Sequence, residues 1–347
     1  MTLPKIKVGL MESPQTTILL IAVLAAVFNP VLSADSNCIG NTNEDDLINI
    51  DDLLAVLSAW GTCNDPCAED LDDSGVVDND DVLSVITAWG PCENANQDVL
   101  FNLDFNHCTV GAYTESMLED DWNAPAWSQG VDEGRASITY TDNETNKALA
   151  VRYPKGEYGT SATGAQWKLM FGGSYECVRL SYRIQFTSPF DFVKGGKLPG
   201  LIGGEGNTGG GIPSGTDGWS ARMMWRIEGA IVQYVYHPDQ PEYYGEDFPW
   251  VIGDEPLFFQ PGQWHDVVHE VKMNTPGLND GSIKAWLDGE LALEAESMRF
   301  RDADDFAIDG MYFSTFFGGG NSSWASTADE IVLFDDFVIE AISRSSD

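Results

Sequence analysis

From residue 98 to residue 345 the sequence is dominated by short runs in which apolar and polar residues alternate. A period of two places successive side chains on opposite faces of a β-strand. The runs are separated by Gly, Pro, Asn and Asp, which favour turns. Strands are predicted at residues 99–105, 148–153, 178–186, 266–273, 281–288 and 330–339. Because no helical segments intervene, we predict a mainly β, two-sheet sandwich of the jelly-roll type.

Three finer features of this region can be predicted. The first and last strands, around Phe101 and Phe337, are expected to lie close together. Residues 287–290 have the Asp-Gly composition of a hairpin turn. Cys108 and Cys177 could form a disulfide, because the six cysteines of the chain are an even number.

The stretch from 194 to 236 concentrates positive charge in an acidic chain. The chain has 18 Lys and Arg against 55 Asp and Glu, a formal net charge of −37. Four basic residues of this stretch are interleaved with tyrosine and tryptophan: Lys194, Lys197, Arg222 and Arg226. A cationic, aromatic pocket indicates a site for an anionic, ring-shaped ligand. The net charge itself argues against binding nucleic acid or an anionic membrane surface.

Strand alternation places the polar residues of this stretch on one face, but their meeting depends on the hairpin loop. A loop with an odd number of residues puts Arg222 beside a tyrosine, and an even loop puts it beside the intervening valine. A three-residue loop that contains Gly229 fits the sequence, so we predict the odd loop. The predicted cleft is therefore lined by Ser220, Arg222, Tyr234, Tyr236 and, from the preceding glycine-flanked loop, Lys197.

This set of residues suits β-elimination on a polyuronate. Elimination needs a cation on the C5 carboxylate, a base for the C5 proton and an acid for the departing O4. Arg222 or Lys197 can neutralise the carboxylate. The nearby cations are expected to lower the tyrosine pKa from about 10 and favour the tyrosinate. Tyr236 is favoured as the principal acid/base, and the candidate substrate-binding residues are Arg226, His237 and Trp219.

The motifs Lys197-Leu-Pro-Gly-Leu, Ser220-x-Arg222 and Tyr234-x-Tyr236 resemble the alginate and glucuronan lyases of polysaccharide lyase families 14 and 20. The resemblance covers most of residues 98–340. It implies a β-jelly roll with a cationic cleft, and β-elimination that yields unsaturated uronates. The sequence shows no ligand cluster for a catalytic metal, so no cofactor is expected in this domain.

Two other functions remain open at this stage. A glycoside hydrolase on a similar sandwich would need a Glu-x-Asp-x-x-Glu strand, which the sequence does not contain. A non-catalytic carbohydrate-binding or adhesion module would use the same cleft without turnover. The sequence does not choose among mannuronate, guluronate and glucuronate.

Residues 38–97 contain a duplication with a 29-residue period, in which Asp52 corresponds to Asp81. The second copy has oxygen ligands at EF-hand spacing, with Gly75 at the sharp turn. Its candidate Ca²⁺ ligands are Asp70, Asp72, Ser74, Val76, Asp78 and Asp81. The first copy offers Asn41, Asn43, Asp45, Asn49 and Asp52. Tight structural Ca²⁺ binding is expected at the second loop and weaker binding at the first, where Asp46 replaces the glycine.

The duplicated segment resembles a type I dockerin, the paired EF-hand-like, all-α module appended to secreted polysaccharide-degrading enzymes. The resemblance implies a cohesin-like protein partner. Four of the six cysteines repeat with the duplication, which is not part of the usual dockerin pattern, and four cysteines allow three pairings.

The first 34 residues are typical of a secretion signal. Lys5 and Lys7 precede an uncharged apolar run over 16–28, and cleavage is predicted after Ser33 or Ala34. An uncleaved anchor is the alternative. The predicted division is a signal peptide over 1–34, a dockerin-like repeat over 35–97 and a lyase domain over 98–345. The protein is expected to be secreted, extracellular or attached to the cell surface, with no membrane association after cleavage.

Overall fold

The computed structural model describes residues 40–42, 47–62, 67–72, 74–88, 90–91, 97–143 and 145–342. The predicted signal peptide and the candidate ligands Asn43 and Asp45 lie outside the described residues. The chain divides into two compact units, Met1–Ala95 and Asn96–Asp347. Among the described residues, no helix is long and apolar enough to span a bilayer.

The first unit contains two short helices that repeat the same local design. They are α1 (Ile50–Ser58) and α2 (Asn79–Thr87), with Asn49 and Asp78 as N-caps. Four two-residue strands accompany them: β1 (Leu47–Ile48), β2 (Gly61–Thr62), β3 (Val76–Val77) and β4 (Gly90–Pro91). β1 pairs with β4 and β2 with β3, so the predicted all-α module also contains small ladders. Its buried core is small: Ile48, Val56, Val77 and Val85.

The described part of the second unit is built almost entirely of strands, with one helix, α3 (Glu115–Asp121). Its strands are β5 (Gln97–Leu103), β6 (Gly111–Ala112), β7 (Ser128–Gln129), β8 (Ala136–Tyr140), β9 (Lys147–Tyr153), β10 (Ala165–Tyr175), β11 (Cys177–Phe186), β12 (Gly195–Gly204), β13 (Gly218–Arg226), β14 (Ile231–Tyr236), β15 (Glu246–Pro249), β16 (Val251–Ile252), β17 (Glu255–Pro256), β18 (Trp264–Lys272), β19 (Gly281–Leu287), β20 (Glu290–Met298), β21 (Ile308–Phe317) and β22 (Glu330–Ile342). Single 3₁₀ turns lie at Ile227–Gly229 and Ser322–Trp324.

Two antiparallel sheets face each other in this unit. The seven-stranded sheet has the order β15-β14-β13-β12-β21-β10-β7. The nine-stranded sheet follows the path β20-β19-β18-β11-β22-β9-β8-β6, and β5 also pairs with β22. This is the predicted mainly β, jelly-roll sandwich.

The core between the sheets is rich in aromatic rings. Trp122, which directly follows α3, contacts Phe313 of the seven-stranded sheet at 5.6 Å between ring centroids. The same indole contacts Phe337 of the nine-stranded sheet at 5.1 Å. Because its side chain is fully buried between both sheets, truncating it to alanine should cost about 3–5 kcal/mol of stability.

The strand predictions are confirmed, including the pairing of the first and last strands. Leu103 of β5 lies opposite Phe337 of β22. The predicted hairpin turn joins β19 to β20, and Asp288 and Gly289 both have positive φ, 52° and 86°. Positive φ at both central residues is the requirement of the turn type that Asp-Gly favours.

The suggested disulfide between Cys108 and Cys177 is wrong, since both side chains are thiols. Cys177 begins β11, next to Val178, which lies beside Ala341 of β22. Ala341 in turn pairs with Asp98 at the start of β5, whereas Cys108 follows the other end of β5. Seven strand residues separate the two ends by about 20 Å, and a disulfide needs Cα atoms within about 7 Å.

Candidate active site

The β13–β14 hairpin sets the geometry of the predicted site. Its loop is the three-residue turn Ile227–Gly229, closed by the Arg226 N–H, which donates to the Ala230 carbonyl at 2.7 Å. The odd loop places Arg222 opposite Tyr234 and Ser220 opposite Tyr236. The register predicted from the sequence is therefore confirmed.

Alternation along β13 divides its side chains between the core and the outer face of the seven-stranded sheet. Trp219, Ala221, Met223 and Trp225 point into the core between the sheets. The tyrosines of β14 lie on the other face, where Met224, Val232, Tyr234 and Tyr236 form a separate small cluster. The candidate site is thus on the outer face of this sheet, backed by a rigid aromatic core.

The two tyrosines form a close pair under a glycine-rich segment, residues 205–211. Their hydroxyl oxygens lie 3.4 Å apart, and their rings meet edge to face at 5.5 Å. The backbone N–H of Gly210, in the loop between β12 and β13, donates to Oη of Tyr236 at 3.0 Å. Tyr234 is 5% exposed and Tyr236 is 1% exposed. The phenols are therefore shielded from bulk water.

Two of the basic side chains beside this pair are held by local contacts. Nζ of Lys197 lies 3.8 Å from the ring centroid of Tyr234 and 2.7 Å from Sδ of Met224. Arg226 makes a bidentate ion pair with Asp247, at 2.8 and 2.5 Å. The charge of Arg226 is therefore already neutralised.

Arg222 differs from Arg226 because no carboxylate pairs with Arg222 among the described residues. Its guanidinium lies 5.3 Å from the ring of Tyr312, and Nη1 donates to Oγ of Ser314 at 3.2 Å. Nε has no hydrogen-bond partner in the described part of the chain, although the residue is only 2% exposed. A buried, unpaired guanidinium on the face of the tyrosines is suited to bind an anion.

Burial controls the protonation of Tyr234 and Lys197. Burial is the main cause that raises the pKa of Tyr234, and the hydrogen bond to Tyr236 and the charge of Tyr236 raise it further. The charges of Arg222 and Arg226 lower this pKa, but by less. The expectation that nearby cations lower the tyrosine pKa is therefore wrong for Tyr234, which stays a protonated phenol. Burial, and then the charges of Arg222 and Arg226, hold the pKa of Lys197 well below its usual range. The shift brings the neutral amine, which can accept a proton, closer to neutral pH than in a free lysine.

The remaining predicted residues have different surroundings. Ser220 donates from Oγ to the Asn207 carbonyl at 2.7 Å and so holds the glycine-rich segment. His237 is buried, with Nε2 2.8 Å from a carboxylate oxygen of Glu246. The prediction that Trp219 binds substrate is wrong, because its ring is fully buried in the main core. Strand alternation forces it to the face opposite Ser220.

Several residues of the same face were not predicted from the sequence. Lys168 and Tyr312 lie opposite each other on β10 and β21. They line a cavity of about 500 Å³ together with the exposed Trp127 and the glycine-rich segment. Tyr312 donates from its hydroxyl to Gln166 at 2.7 Å. Alternation from Ser314 predicts the face of Tyr312, but the sequence does not reveal that β21 lies next to β12 and β10 next to β21.

The first unit contains a second candidate site, at the loop before α2. Carboxylate oxygens of Asp70, Asp72 and Asp81 lie within 4.8 Å of one another. Asp70 accepts the backbone N–H groups of Ser74 at 3.0 Å and Gly75 at 2.7 Å, and Gly75 has φ +84°. The loop therefore curls around its first carboxylate, and its donor set is hard oxygen, which suits Ca²⁺.

The loop before α1 shares one feature with the loop before α2. Asp52 accepts the backbone N–H groups of Thr42 and Asn49, at 2.8 and 2.9 Å. Asp81 accepts those of Leu71 and Asp78, both at 2.7 Å. The buried aspartate at the start of each helix thus closes its loop in the same way.

Comparison with known proteins supports the interpretation of the second unit. The alginate lyase Aly36B is 27% identical, over 71% of this chain and 98% of that chain, with a TM-score of 0.62. The PL-14 alginate lyase from Aplysia kurodai is 28% identical, over 70% of this chain and 98% of that chain, with a TM-score of 0.59. The alginate lyase vAL-1 from Chlorella virus shares the fold at a TM-score of 0.56, with 24% identity over 71% of this chain and 100% of that chain.

No curated protein matches the chain. The sequence model of the family polysaccharide lyase 14 matches residues 141–337, more than half of the 347 residues. This range spans β12, β13, β14 and β21, the strands that carry the candidate site. The chain therefore belongs to polysaccharide lyase family 14 and is a polysaccharide lyase.

Proposed function

We propose that this lyase cleaves alginate by β-elimination at the outer face of the seven-stranded sheet. The observation that carries the proposal is the cluster in which a buried, unpaired Arg222 lies on the face of the Tyr234–Tyr236 pair, with Lys197 against Tyr234. Two similar proteins of known structure are alginate lyases at 27% and 28% identity. A double variant of Aly36B has been crystallised with an alginate tetrasaccharide.

Arg222 is the residue that we assign to the C5 carboxylate of the substrate. Its Nε lacks a hydrogen-bond partner in the described structure, and its buried setting strengthens the attraction for an anion. Neutralising the carboxylate acidifies the C5 proton and stabilises the enolate-like intermediate. Arg226 is a weaker candidate because Asp247 already occupies its guanidinium.

Lys197 and the tyrosine pair supply the two proton transfers. The neutral amine of Lys197 takes the C5 proton, and the C–H electron pair forms the C4=C5 double bond. The C4–O4 bond breaks, and Tyr236 donates its proton to O4. The raised pKa of Tyr234 keeps a proton beside Tyr236 that can replace the one donated. The overall reaction adds no water and needs no oxidant.

The cavity beside this cluster has the chemistry to hold a neighbouring uronate. Lys168 offers an ammonium group whose Nζ lies 5.6 Å from the ring of Tyr312. Trp127 meets the same ring edge to face at 6.0 Å and is 41% exposed, which leaves indole surface for a sugar ring. A polymer lying across Tyr312 would therefore place adjacent carboxylates near Arg222 and Lys168.

The test is a substrate panel with two readouts. The full chain is incubated with alginate and with glucuronan, and ultraviolet absorbance of the C4=C5 bond is followed beside the release of reducing ends. Absorbance and reducing ends rising together on alginate support the proposal. Reducing ends without absorbance would indicate a hydrolase, and binding without either would indicate a carbohydrate-binding module. Cleavage of glucuronan alone would overturn the substrate.

We also propose that the first unit is a dockerin-like, Ca²⁺-stabilised attachment module on a secreted enzyme. The carboxylates of Asp70, Asp72 and Asp81 fit Ca²⁺ in donor type and charge. Cys67 takes part in a disulfide, which agrees with an oxidising compartment. A cohesin-like partner is the interaction that this module would serve. Size-exclusion chromatography with a cohesin domain, with and without Ca²⁺, tests the partner, and mass spectrometry of the exported protein tests signal cleavage.

A further inference from the structure

Three side chains with metal-binding atoms meet where the loop after β5 contacts the end of α3. Nε2 of His107 lies 2.8 Å from Oδ1 of Asp121. Sγ of Cys108 lies 3.5 Å from Nε2 of His107 and 3.6 Å from Oδ2 of Asp121. None of the three belongs to β13, β14 or β21, so this cluster is distinct from the candidate active site. The sequence does not reveal this cluster, because Asp121 lies at the end of α3, 13 residues after Cys108.

Two of the three distances match those of a tetrahedral zinc site. Zn²⁺ binds Cys sulfur at about 2.3 Å, His nitrogen at about 2.0 Å and carboxylate oxygen at about 2.0 Å, so its ligand atoms lie roughly 3.3–3.6 Å apart. Both separations from Cys108 are already in this range. His107 contacts Oδ1 of Asp121 and Cys108 contacts Oδ2. Binding through one carboxylate oxygen therefore requires the Asp121 side chain to rotate and its 2.8 Å contact with His107 to widen by about 0.5 Å. We propose that His107, Cys108 and Asp121 form a Zn²⁺ site in the lyase domain.

Neighbouring groups hold two of the ligands in place. The Tyr113 hydroxyl donates to Oδ2 of Asp121 at 2.7 Å. Nζ of Lys147 donates to the Cys108 carbonyl at 2.6 Å. Such outer-shell partners fix ligand orientation in metal sites. The carboxylate of Asp121 is 6% exposed and His107 is 57% exposed. The cation can therefore enter on the imidazole side, where a water molecule can supply the fourth ligand.

The ligand types select zinc and related transition metals over Ca²⁺. One sulfur, one imidazole nitrogen and one carboxylate oxygen form a borderline-soft set, whereas Ca²⁺ takes six to eight oxygens. Only the thiolate of Cys108 binds a metal, so its thiol proton must be lost. Metal binding replaces this proton, which leaves to solvent.

The test uses Co²⁺ as a spectroscopic substitute on the full chain, without reductant, so that disulfide cysteines are not freed. A thiolate–Co²⁺ charge-transfer band should appear, and Zn²⁺ should abolish it. Cys108→Ala should remove the band, and the matched variant Cys177→Ala, at the other described thiol, should retain it. His107→Ala should weaken Zn²⁺ binding by at least about tenfold. Loss of an outer-shell partner already weakens metal binding by about 10–100-fold, and His107 is a direct ligand in this proposal. Affinity is measured by competition with a chromophoric chelator.

Two results would overturn the proposal. One is the absence of a charge-transfer band in the wild-type chain. Co²⁺ bound to the oxygen ligands of the first unit gives no such band, so the band reports only on the cysteine site. The other is an unchanged Zn²⁺ affinity in His107→Ala. Because the imidazole of His107 is largely exposed, this variant keeps the fold even if Cys108→Ala does not. Its retained lyase activity is the check on folding.

Discussion

Replacing Arg222 with methionine tests two effects of this side chain separately: its contribution to catalysis and its unfavourable effect on the stability of the folded state. Arg222 is 2% exposed, and its guanidinium contacts Ser314 and the ring of Tyr312, with no carboxylate partner within the described residues. Burial is the largest cause of its lowered pKa, so the folded state disfavours its charge. Arginine nevertheless stays protonated at any practical pH. The unfavourable free energy of burying the charge is therefore present throughout the neutral range.

The two expected effects of Arg222→Met have opposite signs. Removing one preorganised group that stabilises developing charge lowers kcat/KM by about 10²–10³-fold, or about 3–4 kcal/mol. Replacing a buried ionic group by an apolar one of similar volume stabilises by about 1–4 kcal/mol. Loss of the bond to Ser314 offsets about 1 kcal/mol of this. The net gain of about 0–3 kcal/mol raises the Tm of the lyase domain by up to about 12 °C.

The assay combines calorimetry with the ultraviolet assay on alginate, and Arg226→Met is the matched control. The Arg226–Asp247 pair is partly exposed, at 26% and 37%. It therefore contributes less than about 1 kcal/mol to stability, and the control should show an unchanged or slightly lower Tm and a smaller loss of activity. An Arg222→Met variant that is less stable than wild type and fully active would refute the reasoning.

Four further outcomes are expected. Tyr236→Phe should lower kcat by about 10²–10⁴-fold with little change in alginate binding, whereas Tyr140→Phe, on the opposite sheet, should leave kcat unchanged. Because only the neutral amine of Lys197 accepts a proton, kcat/KM should rise with pH through its lowered pKa, and a profile that falls over this range would contradict its role. Lys168→Ala should raise KM and spare kcat, and an equal loss in both would place it at the reacting sugar. Chelation with EDTA should lower the Tm of the first unit and leave lyase activity unchanged, and loss of that activity would indicate a catalytic metal.

The sheet structure was predictable because the relevant interactions are local. Alternation identified the strands, and the short turn between Arg226 and Ala230 fixed the register that brings Arg222 beside Tyr234. The glycine that follows Asp288 likewise identified a hairpin. Where the partner strand directly follows in sequence, turn chemistry is sufficient to predict which side chains meet.

Features that depend on non-local pairing were missed. Lys168 and Tyr312 join the site only because β12 lies next to β21 and β21 next to β10. The prediction for Trp219 failed because a residue beside Ser220 must face the opposite side of the sheet. The protonation of Tyr234 also required structure, since burial outweighs the neighbouring cations that the sequence displays.

The central claim is that the cluster around Arg222 and the tyrosine pair eliminates rather than hydrolyses, and the masses of the products test it most directly. A purified alginate tetrasaccharide is incubated with the full chain and analysed by mass spectrometry. The account predicts fragments whose masses sum to that of the substrate, one of them carrying an unsaturated uronate. Fragments that together are one water heavier than the substrate would contradict it.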